Sequence, residues 1–182
     1  MHSASIFAAL TRTVPANAIV PVDVGNNTYS FGRYFETQQQ SVLMSGYLGS
    51  IGFALPAAMG SWVATQEGDP AYSGRKVVSV SGDGGLGQYL AELTTLSKYD
   101  MDVTHVLLNN GELGKISKEQ RGGHWRVWET ELRNPDFANF AASCGLHSVQ
   151  VREVDKLDQA LADAIAHEGP ALVEIISDAL LV

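Results

Sequence analysis

Six short apolar segments, alternating with segments of helical spacing, constrain the fold of this chain more than any other feature. We predict strands at residues 18–25, 41–46, 76–80, 103–108, 147–151 and 171–176. The same patterns predict helices at residues 3–13, 51–66, 86–98, 135–144 and 155–167, and irregular surface segments at 65–75 and 121–134. Strands of this length that alternate with helices form a parallel sheet covered on both faces. We therefore predict an α/β fold, a three-layer α/β/α doubly wound parallel sheet of about six strands.

Length and composition exclude several classes of protein. The chain has 182 residues, which suits a single domain over residues 1–182. Its net charge of -8 argues against nucleic-acid binding, because such domains present a basic face. No apolar stretch approaches the roughly 18 residues that indicate a membrane span. Cys144 is the only cysteine, which fits a reducing compartment, so we expect a cytoplasmic protein with no nucleic-acid or membrane partner.

Small and polar residues follow three of the predicted strands. These residues are Gly25-Asn26-Asn27, Gly82-Asp83-Gly84 and Asn109-Asn110. In open α/β sheets, ligands bind beyond the carboxyl ends of the strands. The sequence therefore predicts a ligand site formed by these three strand ends.

An aspartate inside a glycine-rich turn indicates the chemistry of this site. Gly82, Gly84 and Gly87 satisfy the G-x-G-x-x-G pattern of dinucleotide-binding domains, but the next strand ends in asparagines and not in the acid that would bind a ribose. Asp83 would also repel a phosphate unless a cation lay between them. Mg²⁺ prefers oxygen ligands and is commonly shared between protein groups and phosphates. Asp83, Asn110 and a main-chain carbonyl in the loop after Asn110 could supply those oxygens.

Three segments together resemble a known family. "GDG" at 82–84, followed after 24 residues by "NN" at 109–110, is similar to the thiamine diphosphate motif. "GYLGSIGFALPAAMG" at 46–60 and "VDVGNN" at 22–27 resemble two further segments of the same family. Over essentially its whole length, the chain resembles the diphosphate-binding domain of thiamine diphosphate-dependent decarboxylases and carboligases. This family includes acetolactate synthase, pyruvate oxidase and pyruvate decarboxylase.

The resemblance implies a cofactor site and a metal site. Asp83, the side chain of Asn110 and the backbone carbonyl of Glu112 would bind Mg²⁺. Ile51 would hold the cofactor in its bent shape, and the carbonyl of Gly49 would accept a hydrogen bond from its 4′-amino group. The remaining cofactor-binding residues implied by the resemblance are Gly25, Asn26, Asn27, Ser50, Gly82, Gly84, Gly85, Leu113 and Gly114.

The resemblance also implies that half of the active site lies outside this chain. In the family, a glutamate that activates the aminopyrimidine comes from a separate pyrimidine-binding domain, usually on a neighbouring subunit. No residue here resembles it, so we assign no catalytic residue and expect a homo- or hetero-oligomer. Ile116 occupies the position where the pyruvate decarboxylase branch has a glutamate. An apolar residue at this position is closer to the acetolactate synthase pattern. We therefore predict one half of an enzyme that decarboxylates or ligates a 2-oxo acid, inactive without its partner.

Several alternatives remain open. The chain could be a non-catalytic module that keeps the cofactor fold, or a Rossmann-type dinucleotide-binding domain. It could be one subunit of a split enzyme or a domain of a longer polypeptide. Asp83 could cap the following helix, and Asn109 could be an ordinary turn residue. His105 is expected to be a packed residue, whereas Trp125 and Trp128 could line a substrate entrance or stabilise their loop.

Overall fold

The computed structural model describes residues 1–180, and its elements alternate as the sequence predicts. The strands are β1 (Ile19–Val22), β2 (Ser41–Met44), β3 (Val77–Gly82), β4 (Val103–Asn109), β5 (His147–Val151) and β6 (Ala171–Ile176). The helices are α1 (Ser3–Thr13), α2 (Asn26–Tyr34), α3 (Ala54–Gln66), α4 (Asp83–Leu86), α5 (Glu92–Lys98), α6 (Gly114–Gly122), α7 (Phe137–Ser143) and α8 (Leu157–Ala166). A short 3-10 turn at Val154–Lys156 precedes α8.

All six strands form one parallel sheet in the order β2-β1-β3-β4-β6-β5. The prediction of a parallel sheet of about six strands is confirmed. From β1 the chain first extends the sheet on one side through β2, and then continues on the other side through β3 and β4. The gap beyond the carboxyl ends of β1 and β3 is therefore the switch point at which open α/β sheets bind ligands.

Two apolar layers, one on each face of the sheet, confirm the three-layer architecture. On one face, α1, α2 and α8 cover the sheet, and Phe7, Phe31 and Leu161 are buried there. On the other face, α3, α5 and α7 bury residues such as Leu55 and Phe137. Side chains alternate between the faces along each strand, since Val78 belongs to the first layer and Val77 to the second.

The structure corrects several predicted helices. The helix predicted at 86–98 is two helices, α4 and α5, separated by a turn that begins at Gly87, because glycine disfavours a continuous helix. Two helices, α2 and α6, were not predicted, since both are short and polar and each contains glycine. Asp155 lies in the 3-10 turn and does not cap α8.

The remaining differences are small. Helices α3 and α7 begin slightly later than predicted. Gly52 has a φ of 93°, outside the helical range, just before α3, and the side chain of Asp136 caps α7 by accepting from Asn139 N at 2.9 Å. Residues 123–134 are irregular, as predicted, apart from a bridge between Glu131 and Glu112.

Within residues 1–180, no helix is long and apolar enough to cross a membrane. A cytoplasmic location stays a prediction.

Candidate cofactor and metal site

A cavity of about 220 Å³ opens at the carboxyl ends of β1, β3 and β4. The loops after these three strands form most of its wall, and the segment before α3 contributes Gly49 and Ile51. Of the site residues that the sequence indicates, those that line it are Gly25, Asn26, Asn27, Gly49, Ile51, Gly82, Asp83, Gly84, Gly85, Asn110, Glu112, Leu113 and Gly114. Ser50 is exposed beside two of these residues. Lys115 and Ile116 also line the cavity, although they were not assigned to the site from the sequence.

Asp83 lies at the base of this cavity and is only 3% exposed. Its Oδ1 accepts a hydrogen bond from Gly84 N at 3.0 Å, and its Oδ2 accepts from Gly111 N at 2.8 Å and from Asn134 Nδ2 at 2.7 Å. Burial raises the pKa of Asp83 above its ordinary value, and these hydrogen bonds oppose the increase. Two of the three donors lie far from α4 in sequence, so Asp83 does more than cap a helix.

The other two proposed metal ligands follow β4 directly. Asn110 Oδ1 accepts from Glu112 N at 3.1 Å, and the Glu112 carbonyl accepts from Gly114 N at 2.8 Å. Each of these oxygens can still offer a second lone pair. The turn that brings them together needs Gly111, whose φ is 72°.

Asp83, Asn110 and the backbone of Glu112 offer three different kinds of oxygen to a metal ion. A carboxylate, an amide oxygen and a peptide carbonyl are hard ligands that suit Mg²⁺. Within residues 1–180, no three His, Cys, Asp or Glu side chains cluster as a metal site. The residues after β3 and β4 are therefore the candidate ligands in the described part of the chain.

The side chain of Glu112 is engaged away from the proposed metal position. Arg121 donates to both of its carboxylate oxygens at 3.2 Å, and Ser117 Oγ donates to Oε1 at 2.7 Å. Burial alone would raise the pKa of Glu112, but these hydrogen bonds lower it below its usual value. The Glu112 side chain is thus held by Arg121 and Ser117, and the backbone carbonyl of Glu112 remains a candidate metal ligand.

Two neighbouring asparagines after β1 have different environments. Asn27 Nδ2 donates to the carbonyl of Asp23 at 2.6 Å, so Asn27 stabilises its own loop. Asn26 Nδ2 is buried and has no hydrogen-bond partner among residues 1–180. A Cβ atom on Gly114 would lie 2.6 Å from this nitrogen, which shows that glycine leaves the space beside it open. An unpaired buried donor lowers the free energy of unfolding by about 1–3 kcal/mol. An anionic oxygen in the cavity would accept a hydrogen bond from this donor.

Asp23, which the sequence analysis did not assign to the site, organises the loop before α3. Its carboxylate accepts from Val24 N at 2.7 Å, from Gly52 N at 2.8 and 3.0 Å and from Phe53 N at 3.3 Å. Burial raises the pKa of Asp23, and the backbone hydrogen bonds oppose the increase. A Cβ on Gly85 would lie 2.5 Å from Asp23 Oδ2. Glycine at position 85 therefore leaves room for this carboxylate, whatever else it contributes.

Ile51 points toward the glycines after β3. Its Cδ1 lies 3.9 Å from the position that a Cβ on Gly84 would occupy, and the side chain is half-buried in the wall of the cavity. Gly49 has a φ of 64°, a conformation that glycine adopts readily. The loop thus places an apolar side chain next to the site of Asp83.

Two polar residues near the site, Asn109 and His105, can be compared with their sequence predictions. Asn109 is not merely a turn residue, because its side chain joins Asn134 on one side and Glu174 on the other. His105 is packed as predicted, fully buried, with its ring nitrogens hydrogen-bonded to Ser79 and Ser81 at 2.7 and 2.8 Å. Burial lowers its pKa to about 4.

Comparison with known proteins gives the family. Residues 23–175 match the model of the thiamine pyrophosphate enzyme family, C-terminal TPP binding domain. The chain therefore belongs to this family, whose cofactor is thiamine diphosphate and whose usual partner metal is Mg²⁺. This membership disfavours the Rossmann-type alternative.

Individual relatives agree with the family match. The chain is 34% identical over 165 residues to the probable acetolactate synthase large subunit of Methanocaldococcus jannaschii, covering 89% of this chain and 27% of that protein. It is 30% identical over 183 residues to the acetolactate synthase isozyme 2 large subunit of Escherichia coli, covering 99% of this chain and 32% of that protein. The chain thus spans about a third or less of the length of these relatives.

A solved structure supports the fold. The thiamine diphosphate-dependent 4-hydroxybenzoylformate decarboxylase of Rhodococcus jostii RHA1 superimposes with a TM-score of 0.85 at 23% identity. The match covers 98% of this chain and 33% of that one. At this level of identity the likeness concerns the fold, and it confirms the α/β architecture.

Proposed function

We propose that this chain binds the diphosphate end of thiamine diphosphate through Mg²⁺, as one half of an enzyme that decarboxylates or ligates a 2-oxo acid. The observation that carries the proposal is the convergence of Asp83, Asn110 and the Glu112 carbonyl at one cavity. The unpaired Asn26 Nδ2 in the wall of the same cavity suits a diphosphate oxygen.

The residues of this chain would bind the cofactor from its diphosphate end. Asp83, Asn110 and the Glu112 carbonyl would hold Mg²⁺, and Asn26 would donate to the diphosphate. The absence of side chains at Gly84 and Gly85 would allow the backbone to approach the phosphates. Bound thiamine diphosphate supplies an electron sink for the release of CO₂ from a 2-oxo acid.

The segment before α3 would orient the other end of the cofactor. In the proposed complex, Ile51 supports the bent shape and the Gly49 carbonyl accepts from the aminopyrimidine. Asp23 anchors this segment through Gly52 N and Phe53 N. Since the anchor is a buried carboxylate at the end of a sheet strand, the position of Ile51 is tied to the rigid part of the fold.

A partner domain would complete the active site. The chain spans about a third or less of the length of its relatives, so the remaining functions of those proteins lie in other regions. Tyr47 and Leu48, next to Gly49, are 98% and 80% exposed. Exposed apolar residues beside a ligand site are typical of an interface. We infer that a pyrimidine-binding domain, on the same or another polypeptide in an oligomer, covers this surface and provides the activating glutamate.

The environment of Ile116 supports an acetolactate synthase-like branch. Ile116 lines the cavity and is half-exposed, at the position where the resemblance places a glutamate in the pyruvate decarboxylase branch. An apolar side chain at this position cannot transfer a proton. Both named relatives are acetolactate synthase large subunits. We therefore propose a 2-oxo acid substrate and a lyase or transferase reaction.

Calorimetry of the 182-residue chain tests the proposal. Thiamine diphosphate should bind in the presence of Mg²⁺ and lose most of its affinity when EDTA removes the metal, because the diphosphate would then face Asp83 without a cation. NAD should not compete. Equal affinity with and without divalent metal would overturn the proposal. Metal-dependent binding by an assembly that never consumes a 2-oxo acid would instead support a non-catalytic module.

A further inference from the structure

We propose that Glu174 positions the metal ligand Asp83 through two asparagines, Asn109 and Asn134. We call these three residues (Glu174, Asn109 and Asn134) the amide relay. The inference rests on the proposed function, since it assumes that Asp83 binds a metal. It goes beyond that function by assigning a role to a residue in the middle of the sheet that does not line the cavity.

Glu174 is an unusual residue for its place in the fold. It lies in β6, a strand with a neighbour on each side, opposite Leu107 of β4 and Gln150 of β5, and its side chain is completely buried. A buried carboxyl group is costly unless its oxygens are satisfied. Three neutral amides satisfy them: Asn109 Nδ2 at 2.7 Å, Gln150 Nε2 at 2.9 Å and Ala138 N at 3.0 Å. An apolar residue would fill this position at lower cost, so the carboxyl group indicates a specific role.

Glu174 fixes the direction of the hydrogen bonds that lead to the cavity. As an acceptor, its Oε1 turns the NH₂ group of Asn109 toward itself, and Asn109 Oδ1 is then left to accept from Asn134 Nδ2 at 2.9 Å. The NH₂ group of Asn134 is thereby directed to Asp83 Oδ2 as well, at 2.7 Å. Reversal of either amide would bring two donors or two acceptors together.

The last bond of the relay determines which oxygen of Asp83 is free for a metal. Oδ2 receives two donors, Asn134 Nδ2 and Gly111 N, whereas Oδ1 receives only the N–H of its neighbour Gly84. The relay therefore holds the carboxylate in one orientation and leaves Oδ1 with a lone pair for the ion. Residues that orient metal ligands in this way typically change metal affinity by about 10–100-fold when they are removed.

Metal affinity separates this role from a purely structural one. Asn134 could serve only to attach the segment before α7 to the sheet, in which case its removal would lower stability and leave the metal affinity of the folded protein unchanged. Manganese, which replaces magnesium at oxygen sites and is visible by electron paramagnetic resonance, reports that affinity directly. The measurement uses the full chain with thiamine diphosphate, and denaturant unfolding without metal gives the stability separately.

The first comparison concerns the asparagines. Asn134→Ala and Asn109→Ala should each weaken Mn²⁺ binding by about 10-fold or more. Asn139→Ala is the matched control, because Asn139 lies near Asn134 in sequence but its side chain donates to Asp136 at an exposed site. The control should bind Mn²⁺ like the unmodified chain. Folded relay variants whose Mn²⁺ affinity stays within about twofold of the unmodified chain would overturn the inference.

The second comparison concerns Glu174. Glu174→Gln keeps the shape of the side chain but has one acceptor oxygen for three donors. As a single substitution it should weaken Mn²⁺ binding. When it is combined with Asn134→Ala, it should weaken binding no further than Asn134→Ala alone. If the fold-losses of Mn²⁺ affinity in the two single variants multiply in the double variant, the residues act independently and the relay is contradicted. Gln150→Leu removes another donor to Glu174 without touching Asn109, and it should leave the affinity unchanged. If Glu174→Gln does not fold, the Asn109 and Asn134 variants alone decide the matter.

The unmodified chain and Asp83→Ala distinguish failure of the inference from failure of the proposed function. If the unmodified chain does not bind Mn²⁺ with thiamine diphosphate, or if Asp83→Ala binds it equally well, the metal assignment itself is wrong. If Asp83→Ala loses the metal while every relay variant retains it, the function stands and the inference is wrong.

Discussion

Asp23 accepts hydrogen bonds from the N–H of Gly52 through both of its carboxylate oxygens, at 2.8 and 3.0 Å. This contact joins the end of β1 to the segment that contains Gly49 and Ile51. The proposed metal ligands follow β3 and β4, so a buried carboxylate at the end of a neighbouring strand links the two proposed ends of the cofactor site. The loops that form the site are thus attached directly to the ends of the sheet strands.

The proposed metal ligand Asp83 should determine whether thiamine diphosphate binds. Asp83→Ala removes the carboxylate that would hold Mg²⁺, so calorimetry should show loss of metal-dependent binding. Asp69→Ala, at an exposed position in the loop after α3, is the control and should bind normally. Undiminished affinity in Asp83→Ala would rule out the assignment.

Ile51 should affect the shape of the bound cofactor and not its attachment. Ile51→Ala leaves Asp83, Asn110 and Glu112 intact, so Mg²⁺-dependent binding should remain. Exchange of the C2 proton of the cofactor for deuterium, measured in the assembly with its pyrimidine-binding partner, should become slower because the bent shape is no longer enforced. Val63→Ala shortens an exposed apolar residue of α3 that does not line the cavity, and it should leave the exchange rate unchanged. An unchanged rate in Ile51→Ala would make Ile51 an ordinary packing residue.

The two asparagines after β1 should give opposite results. Asn26→Ala removes a donor that has no hydrogen-bond partner among residues 1–180, so it should weaken thiamine diphosphate binding without lowering the free energy of unfolding of the cofactor-free chain. Asn27→Ala breaks a buried hydrogen bond to Asp23 and should lower that free energy by roughly 1–2 kcal/mol. Calorimetry and urea unfolding of both variants make the comparison. The reverse pattern would show that the two roles are exchanged.

His105 should make the protein less stable in mild acid. Its folded pKa of about 4 lies below the ordinary value of 6.5, so between these pH values the unfolded chain binds a proton that the folded chain does not. The free energy of unfolding therefore falls as the pH falls through this window, by about 3 kcal/mol in total from this residue. The raised pKa values of Asp23 and Asp83 act in the opposite direction.

A variant isolates the contribution of His105. His105→Gln retains both carboxylates, so the difference in pH dependence between it and the unmodified chain belongs to the imidazole. Urea unfolding without metal from pH 7 to pH 4 should show the smaller loss of stability in the variant. Parallel curves would contradict the assignment, as would an imidazole that titrates near 6.5 by nuclear magnetic resonance.

The isolated chain should consume no 2-oxo acid. The acids described at the site are all engaged, because Asp83 is assigned to the metal, Asp23 accepts from Gly52 N and Phe53 N, and the Glu112 carboxylate is held by Arg121 and Ser117. Pyruvate consumption with saturating thiamine diphosphate and Mg²⁺ should be absent, and it should appear when a pyrimidine-binding partner is added. Turnover by the chain alone at ordinary enzyme rates would show that no activating group is missing.

Much of the fold follows from the sequence because its signals are local. Each strand is a short apolar run, and Asp83 and Asn110 stand at strand ends, where parallel topology brings distant residues together. Gly87, at the turn that interrupts the helix predicted at 86–98, is equally visible in the sequence. The apolar spacing of this segment predicts one helix, and that prediction is wrong because glycine disfavours the helical conformation.

The residues that support the site could not be found in this way. Asn134 reaches Asp83 across 51 positions of the chain, and Glu174 reaches Asn109 across 65. Nothing near Asn134 in the sequence distinguishes it from other loop residues, whereas Glu174 is visible as an acid within an apolar strand, although its partner is not. Their partners are defined only when the strands are ordered, because the order places β6 beside β4. Asp23 could have been found from the sequence, because an acid at the end of an apolar strand is a visible signal.

The contact between Asp23 and Gly85 has a consequence for sequence variation. Since any side chain at position 85 would occupy the space of the Asp23 carboxylate, position 85 is not free to change while Asp23 is present. Among homologous sequences, a larger residue at position 85 should occur only where position 23 is shortened, and the loop before α3 should then have acquired a different anchor. Positions 23 and 85 should therefore covary as a pair.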